Sequence, residues 1–418
     1  MLSWSGYAAK SSCSNLHHLL TDQCHKSIEL YKKHSFQLKE QEGMSQKSCL
    51  LQLRCDIEKV NRESQEKLNV LLLDEFNSRL KIKYEEVQLI GKPKKRALTA
   101  DDMAVLKPFH WGYHFGRVLA RGGFDAIITN PLWETFKPQA KEFFAQHNEF
   151  VTKNKMDIKA FEKEQKNLLQ NTEVAKTWLG YQSQYPHISA YYRAAEQYKN
   201  QTSVVNGKKA GIDINLYKLF VEQCFNLLHP GGECGIVIPS GIYTDLGTKQ
   251  LREMLFNQTK ITGLFCLENR KTIFEGVHRS FKIVMLTFEK GNTTAEFPSA
   301  FMRLDVDELQ RFPNSDSLQI SVNLVRKLSP DSLSVMEFKN EVDIRIAKKV
   351  LKFPLLGEKI DDKWNFVLSR EFDRGNDNNI FQTQHLEHTL PLLVGKMFHQ
   401  FTLTDETSPY WVSSIYFN

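Results

Sequence analysis

The spacing of apolar positions in the first hundred residues predicts helices. From Leu50 to Leu71, apolar residues recur every three or four positions among charged ones. This is typical of a long amphipathic helix that packs on a core or pairs as a short coiled coil, and the packed helix is favoured. Thr99, followed three residues later by Asp102, predicts the start of a second, short helix. The basic run "GKPKKR", residues 91–96, fits a solvated loop as well as a DNA contact, with the loop slightly favoured.

From residue 109 the pattern changes to short apolar runs that alternate with helical segments. A helix closed by Gly122 and Gly123 is followed by a predicted strand at residues 124–129. A helix over residues 215–229 comes next, and then three apolar strands lie within "ECGIVIPS", "ITGLFCLEN" and "SFKIVMLTFEKG". Strands that are apolar on both faces and alternate with helices predict a mostly parallel sheet covered on both sides, in an open, doubly wound α/β domain.

The same patterns divide the chain into three regions. Residues 1–104 form a helical N-terminal region, and residues 105–290 form the α/β core. A polar insertion at about 134–210 is expected to be an excursion from this core rather than part of it. Residues 291–418 contain short strands and polar turns, and their apolar, aromatic end leads us to expect a chain that is cut inside a further domain.

Composition and charge indicate which general class of protein this chain belongs to. The 418 residues are 41% hydrophobic and 25% charged, as in ordinary soluble globular proteins, and the net charge of +6 permits a polyanionic partner. No apolar run approaches the roughly 20 residues that span a bilayer, and we see no secretion signal at the start. The seven cysteines form no CxxC pair. We therefore expect reduced, mostly buried thiols in a cytoplasmic protein, without a disulfide framework or a metal site.

The segment "FDAIITNPLW", residues 124–133, carries the candidate chemistry. In open α/β sheets ligands bind at the carboxyl ends of strands, which is where Asn130 lies. The Asn130 amide oxygen and the Pro131 carbonyl can each accept a hydrogen from an exocyclic amino group, and Trp133 can stack on a planar ring. Together these residues predict a pocket for an extruded base that carries an amino group.

Three longer segments occur in a fixed order: "GGFDAIITNPLW", "NLYKLFVEQCFNLLHPGGECGIVIPSGIYTDLGTKQLREML" and "NRKTIFEGVHRSFKIVML". Across residues 105–290 the chain resembles the adenine-specific DNA methyltransferase module of type II (IIG-like) restriction–modification enzymes. The later "LPLLVGKMFHQF" resembles the entry to their target-recognition region. The resemblance implies a partial, Rossmann-like class I methyltransferase sheet. It also implies methyl transfer from S-adenosyl-L-methionine to adenine in double-stranded DNA, as part of a restriction–modification system.

The resemblance assigns roles to individual residues. Asn130 and the Pro131 carbonyl would hold the adenine amino group and raise its nucleophilicity, while Trp133 would stack on the flipped base. Phe274 best matches a second stacking aromatic, with His278 a poorer match, although Phe274 fits a core residue that anchors its loop equally well. We expect Asn130 to end a central parallel strand within reach of this loop.

The chain departs from the family pattern in two places. Leu132 stands where the family usually has a second proline. Residues 1–123 contain no strand that leads into a Gly-x-Gly loop, so the cofactor-binding residues are not assigned. The half that binds the methyl donor would then come from a separate chain. The strand before Asn130 would present an unpaired backbone edge, to be covered by the N-terminal helices or by that partner.

Three other functions remain open at this point. A catalytically inactive remnant or a DNA-specificity subunit would explain both the missing cofactor loop and Leu132; retained cofactor binding would separate an enzyme from such a remnant. A fused nuclease is disfavoured, because Glu58-Lys59 and Glu66-Lys67 lie on a predicted helix at the wrong spacing for a metal site. An RNA or protein methyltransferase could carry the same Asn-Pro motif, but the long match outside it argues against this function.

Overall fold

The computed structural model describes residues 44–146, 158–202, 204–205, 208–209, 213–314, 317–366, 372–373, 377–399, 402–404 and 407–417, together with residues 3–4, 26 and 29. Its α-helices are α1 (Met44–Asp74), α2 (Ala100–Leu106), α3 (Trp111–His114), α4 (Gly116–Ala120), α5 (Ala140–Ala145), α6 (Ile158–Leu168), α7 (Thr172–Ser183), α8 (Pro186–Ala194), α9 (Leu216–Leu227), α10 (Gly241–Thr244), α11 (Lys249–Gln258), α12 (Val322–Leu328) and α13 (Glu341–Val350).

Its strands are β1 (Ser3–Trp4), β2 (Tyr84–Glu86), β3 (Lys94–Arg96), β4 (Phe109–His110), β5 (Phe124–Thr129), β6 (Val204–Val205), β7 (Lys208–Lys209), β8 (Leu228–Pro239), β9 (Thr259–Glu268), β10 (Lys282–Lys290), β11 (Glu296–Arg303), β12 (Leu318–Ser321), β13 (Thr389–Pro391), β14 (Phe398–His399), β15 (Thr402–Leu403) and β16 (Trp411–Ser413). The predicted helix start at Thr99 is confirmed: its hydroxyl accepts from the Asp102 backbone N–H, and the Asp102 carboxylate accepts from the Thr99 backbone N–H.

Six strands form one sheet in the order β12-β11-β9-β10-β8-β5. Strands β5, β8, β9 and β11 run in one direction, while β10 and β12 run the opposite way. The α/β class is confirmed, but the sheet is mixed rather than mostly parallel. The reason is that β10 follows β9 through a loop, residues 269–281, that contains no crossover helix, so β10 must return antiparallel. Apolar residues on both faces indicate burial and leave strand direction undetermined.

Strand β5 occupies an edge of this sheet, so the expected central position was wrong. It pairs in parallel with β8 on one side, and no described residue pairs with its outer edge. Asp125 and Ala126 are exposed, and the Ile128 residue is 91% exposed. The unpaired edge that the sequence led us to expect is therefore present in the described structure. A local run of apolar residues predicts that a strand forms. Which strands pair with it depends on segments that are distant in the sequence.

The sheet core is built from the apolar faces of β8, β9 and β10 with helices packed on them. Helix α9 packs on β8 and α11 packs on β9. The turn into β5 passes so close to the end of α9 that a Cβ atom on Gly123 would lie 2.3 Å from the Leu227 carbonyl oxygen. With a φ of +133°, this position requires glycine. The turn thereby holds β5 against β8.

The polar insertion forms one hydrophobic cluster of its own and contributes to a second one with α1. Phe144 and Trp178 are buried in a cluster formed by α5, α6 and α7. Tyr191 of α8 stacks on Phe76 with ring centroids 4.6 Å apart, in a second cluster that includes Leu72 of α1. This second cluster confirms that α1 packs on a core. The aromatic residues lie among many Lys, Gln and Asn residues, which masked their burial in the sequence.

The chain forms two compact units, Met1–Val350 and Leu351–Asn418. The first contains the six-stranded sheet. In the second, β13 pairs with β16 and β14 pairs with β15, both antiparallel. No helix among the described residues has the length and apolar character needed to cross a membrane. Of the cysteines that are described, Cys224, Cys234 and Cys266 are buried free thiols, and Cys55 is exposed.

A buried arginine fixes the turn after β8. The Arg252 guanidinium donates to the carbonyl oxygens of Ile242, Asp245 and Ser332 at 2.9, 2.6 and 2.7 Å. Burial lowers the pKa of Arg252 to about 10, and the three carbonyls replace much of the water that it loses. The planar guanidinium holds residues 242–245 and 332 in one arrangement that an ammonium group could not reproduce.

A buried carboxylate joins α9 to the turn at Glu196–Gln201. Glu222 accepts hydrogen bonds from the Asn200 backbone N–H (2.9 Å), the Asn200 Nδ2 (2.8 Å) and the Gln201 Nε2 (2.7 Å). Burial raises the pKa of Glu222 from 4.5 to about 7, and these three donors oppose the shift without cancelling it. The folded chain therefore binds a proton at Glu222 more tightly than the unfolded chain does.

This raised pKa predicts a pH-dependent stability. The contribution of Glu222 is fully present below about pH 4.5 and falls by about 3 kcal/mol as the pH rises through 7. Glu222→Gln cannot ionise, so we expect its free energy of unfolding, relative to that of the parent, to rise by this amount between pH 4.5 and pH 7.5. Urea denaturation at both pH values measures the change. Glu253→Gln, at a half-exposed position on α11, is the control and should leave the pH dependence as it is in the parent. A Glu222→Gln profile parallel to the parent's would contradict the assignment.

Candidate active site

Asn130 follows β5 at the edge of the sheet where the parallel strands end. Its side chain is exposed, and its amide makes no hydrogen bond to any residue that the structure describes. The next residue, Pro131, is buried, and Leu132 is exposed. Pro131 therefore anchors the chain just after the strand, and the Asn130 amide keeps its full capacity to bind a ligand.

A second asparagine at a strand end provides a direct contrast. Asn269 follows β9 at the same edge of the sheet and is fully buried. Its Nδ2 donates to the carbonyls of Phe274 (3.0 Å) and Val277 (2.9 Å), and its Oδ1 accepts from the Phe274 backbone N–H (2.9 Å). Asn269 thus folds the loop 269–281, whereas the amide of Asn130 has no such structural task.

Trp133 is held in place by both its nitrogen and its ring. Its Nε1 donates to the Val237 carbonyl at 3.1 Å. Strand β5 stops opposite Ile236, so the indole N–H satisfies the next carbonyl of β8 after the strand pairing has ended. The ring centroid lies 5.1 Å from that of Phe274, at an interplanar angle of 54°. The structure thereby brings these two predicted site residues together.

Phe281 was missed by the sequence reading. Its ring is nearly parallel to that of Trp133, at 9° and with centroids 5.9 Å apart. Its place directly before an apolar strand is visible in the sequence, but only the antiparallel pairing of β10 brings the start of that strand to the site. His278, the poorer of the two loop candidates, is exposed, and its Nδ1 lies 2.8 Å from Ser280 Oγ. The aromatic cluster Trp133–Phe274–Phe281 is called the ring cluster below.

Charged side chains also lie at the start of β10 and on the loop 269–281. Lys282, at the start of β10, binds the Glu337 carboxylate at 2.6 Å, and the Tyr243 hydroxyl donates to the same carboxylate at 2.7 Å. On the loop, Arg279 donates to the Arg270 carbonyl at 3.0 Å. The site therefore combines an unbonded amide, an aromatic wall and a cationic loop, which suits a planar, amino-bearing group attached to an anion.

The described residues show no place for a nucleotide cofactor of the expected kind. No strand of the six-stranded sheet precedes β5 in the described chain, and no glycine-rich turn follows such a strand there. The same residues contain no group of three His, Cys, Asp or Glu side chains that could hold a metal ion. No cofactor-binding residue is assigned.

Comparison with known proteins identifies one segment. Residues 181–274 match the family model described as Eco57I restriction-modification methylase. The matched range includes β8, β9 and the loop as far as Phe274. Over these residues the chain is therefore similar to a restriction–modification methylase. No curated protein matches the sequence.

Several solved structures resemble the chain in part. They include a modification subunit of a putative type I restriction enzyme from Vibrio vulnificus YJ016 (13% identity, 53% of this chain and 41% of that chain covered, TM-score 0.29). The M protein of the type I restriction enzyme EcoKI matches at 16% identity (32% and 41% covered, TM-score 0.24). A nuclease-deletion mutant of the Type ISP enzyme LlaGI, in complex with a DNA substrate mimic, matches at 16% identity (51% and 19% covered, TM-score 0.28). The chain spans about two fifths or less of these structures, and TM-scores below 0.5 say nothing about its chemistry.

The indole hydrogen bond of Trp133 can be tested by substitution. Trp133→Phe leaves the Val237 carbonyl without its donor, so we expect the free energy of unfolding to fall. Trp111→Phe is a matched control, because the Trp111 Nε1 is buried without a partner among the described residues. Urea denaturation should show a loss for Trp133→Phe that exceeds that of the control by about 1–2 kcal/mol. Equal losses would show that the bond contributes nothing.

Proposed function

Because residues 181–274 are similar to a restriction–modification methylase, we propose that the chain is the catalytic part of a DNA adenine-N6 methyltransferase. Its substrate would be an adenine flipped out of double-stranded DNA, its methyl donor S-adenosyl-L-methionine, and its place of action the cytoplasm. The observation that carries the proposal is the Asn130 amide, which is exposed and unbonded next to a buried proline and the ring cluster.

In this proposal Asn130 and Pro131 hold the amino group of the base. The Asn130 Oδ1 and the Pro131 carbonyl oxygen each accept one of its two N–H hydrogens. Both groups are acceptors, so they draw electron density toward the nitrogen and favour its tetrahedral form, in which the lone pair is available. The exposed part of the ring cluster supports the base, while Asn269 keeps Phe274 in place.

The methyl donor requires residues beyond those described. S-adenosyl-L-methionine would supply the methyl group, and the described residues form no glycine-loop cradle for it. The outer edge of β5 indicates where the missing half would attach: its backbone groups are unpaired, and Ile128 is exposed. A strand from a separate chain would pair with this edge and cover Ile128.

A DNA-specificity subunit without catalytic activity is the second candidate. Two observations favour it, namely the missing cradle and Leu132 in place of the family's second proline. Dependence of methylation on Asn130 separates the two candidates, because a specificity subunit needs no polar group at the base.

Asn130→Ala tests the catalytic proposal. In an assembly with a complementing partner chain, we expect transfer of labelled methyl groups to DNA to fall by about 100-fold or more, on the scale of one lost transition-state hydrogen bond. Since Asn130 is exposed and unbonded, the free energy of unfolding should change by less than about 0.5 kcal/mol. Asn167→Ala, at an exposed position on α6, is the matched control. Activity of Asn130→Ala within about twofold of the parent would exclude a catalytic role.

A further prediction concerns the isolated chain, without a partner. We expect the purified 418-residue protein alone neither to bind S-adenosyl-L-methionine in calorimetry nor to methylate DNA. The reason is that sheets of this class hold their nucleotide chiefly on a glycine loop after the first strand. Micromolar binding by the chain alone would show that it contains a complete cofactor site and needs no partner.

A further inference from the structure

A two-stranded hairpin projects from the helical part of the first unit. It comprises β2, β3 and the connecting residues 87–93, and is called the hairpin arm. Tyr84 pairs with Arg96 at its base. The Arg96 guanidinium forms two hydrogen bonds to the Asp102 carboxylate, at 2.6 and 2.9 Å, and lies 4.1 Å from the centroid of the Tyr84 ring. The Val87 backbone N–H donates to Ser183 Oγ at 2.9 Å. The arm is therefore fixed at its base.

The tip of the arm is apolar and faces solvent. Ile90 is 93% exposed and Leu89 is 60% exposed. Gly91 follows with a φ of +95°, which turns the chain back toward β3. The connecting segment lies beside α7, where Leu89 and Ile90 line one cavity with Leu169 and Leu179, while the Ile90 side chain stays exposed. Adjacent exposed isoleucine and leucine on a rigid hairpin indicate a binding surface rather than a folding element.

The charges of the tip select its partner. Residues 87–95 contain three lysines and no acidic residue. Lys95 binds Glu85 at the base of the arm, whereas Lys92 and Lys94 are exposed and form no ion pair with the described residues. The tip thus combines the ammonium groups of Lys92 and Lys94 with an apolar end, and Lys94 lies opposite Glu86 in the strand pairing. Such a surface is complementary to a polyanion that also offers apolar contact.

We propose that the hairpin arm binds the major groove of duplex DNA, an inference that rests on the proposed function. The major groove admits a two-stranded β-ribbon, and its thymine methyl groups offer apolar contact to Ile90 and Leu89. Lys92 and Lys94 bind phosphates on the groove walls. The basic run 91–96 is thereby a DNA contact carried on an ordered hairpin, and its last residue, Arg96, serves as the anchor.

Duplex binding in a salt series tests the arm. Fluorescence anisotropy with the full chain and a mixed-sequence duplex gives the association constant at each salt concentration. In Lys92→Ala/Lys94→Ala the slope of log K against log salt should become shallower by about 2, and affinity at 0.1 M salt should fall at least about tenfold. Ile90→Ser should weaken binding without changing the slope. Replacing thymine by uracil in the duplex should lower the affinity of the parent more than it lowers the affinity of Ile90→Ser.

The matched controls lie on α13, where Ile346, Lys348 and Lys349 are exposed in the same way. Ile346→Ser and Lys348→Ala/Lys349→Ala should bind as the parent does. If the parent binds DNA and the arm variants bind it with the same affinity, the proposal for the arm is overturned and the proposed function is not affected. A parent that binds no duplex would overturn the arm, whereas the proposed function is decided separately by methyl transfer in the assembly with the partner chain. Arm variants that bind DNA normally but lose association with a protein partner would assign the tip to protein docking and overturn the proposal.

Discussion

The antiparallel insertion of β10 between β8 and β9 determines where the elements of the candidate site meet. Because β10 returns without a crossover helix, the loop 269–281 must lie at the edge of the sheet where β5, β8 and β9 end. Phe281 and Lys282 then enter β10 at that same edge. The contact of Phe274 and Phe281 with Trp133 depends on this antiparallel return, whereas Asn130 is placed by the parallel pairing of β5 with β8. A helical crossover would have removed the loop, and Phe274 with it, from this edge.

The polar groups at this edge of the sheet differ in whether they form hydrogen bonds within the described chain. The Asn269 amide and the Trp133 indole form hydrogen bonds with backbone groups that would otherwise be buried and unpaired. Arg252 does the same for three carbonyls in the turn after β8. Against this background the Asn130 amide stands out among the residues described. Because it is exposed and forms no hydrogen bond with a described residue, it is available to the ligand that the proposed function assigns to it.

The local features of the fold could be predicted from the sequence. The capping residues Thr99 and Asp102, helix α9 and strands β5, β8, β9 and β10 follow from spacing and turn residues alone. The direction of β10 and the edge position of β5 depend on contacts between distant segments, which apolar runs do not encode. The burial of Tyr191 and Trp178 in the insertion could not be predicted, because both lie among polar residues in the sequence. Within the site, Asn130 and Trp133 were apparent from the strand exit, whereas Phe281 required the pairing of β10.

If a partner chain pairs with the edge of β5 that is open among the described residues, the stability of this protein depends on assembly. Any chain that pairs with β5 in the folded state, and not in the unfolded one, stabilises the fold in proportion to the logarithm of its concentration. Covering Ile128 also removes a surface on which copies of the chain could join edge to edge. The partner would thus act both as a structural complement and as a guard against aggregation. The amount of folded, soluble protein in a cell would then be set by the supply of that partner as well as by the chain's own sequence.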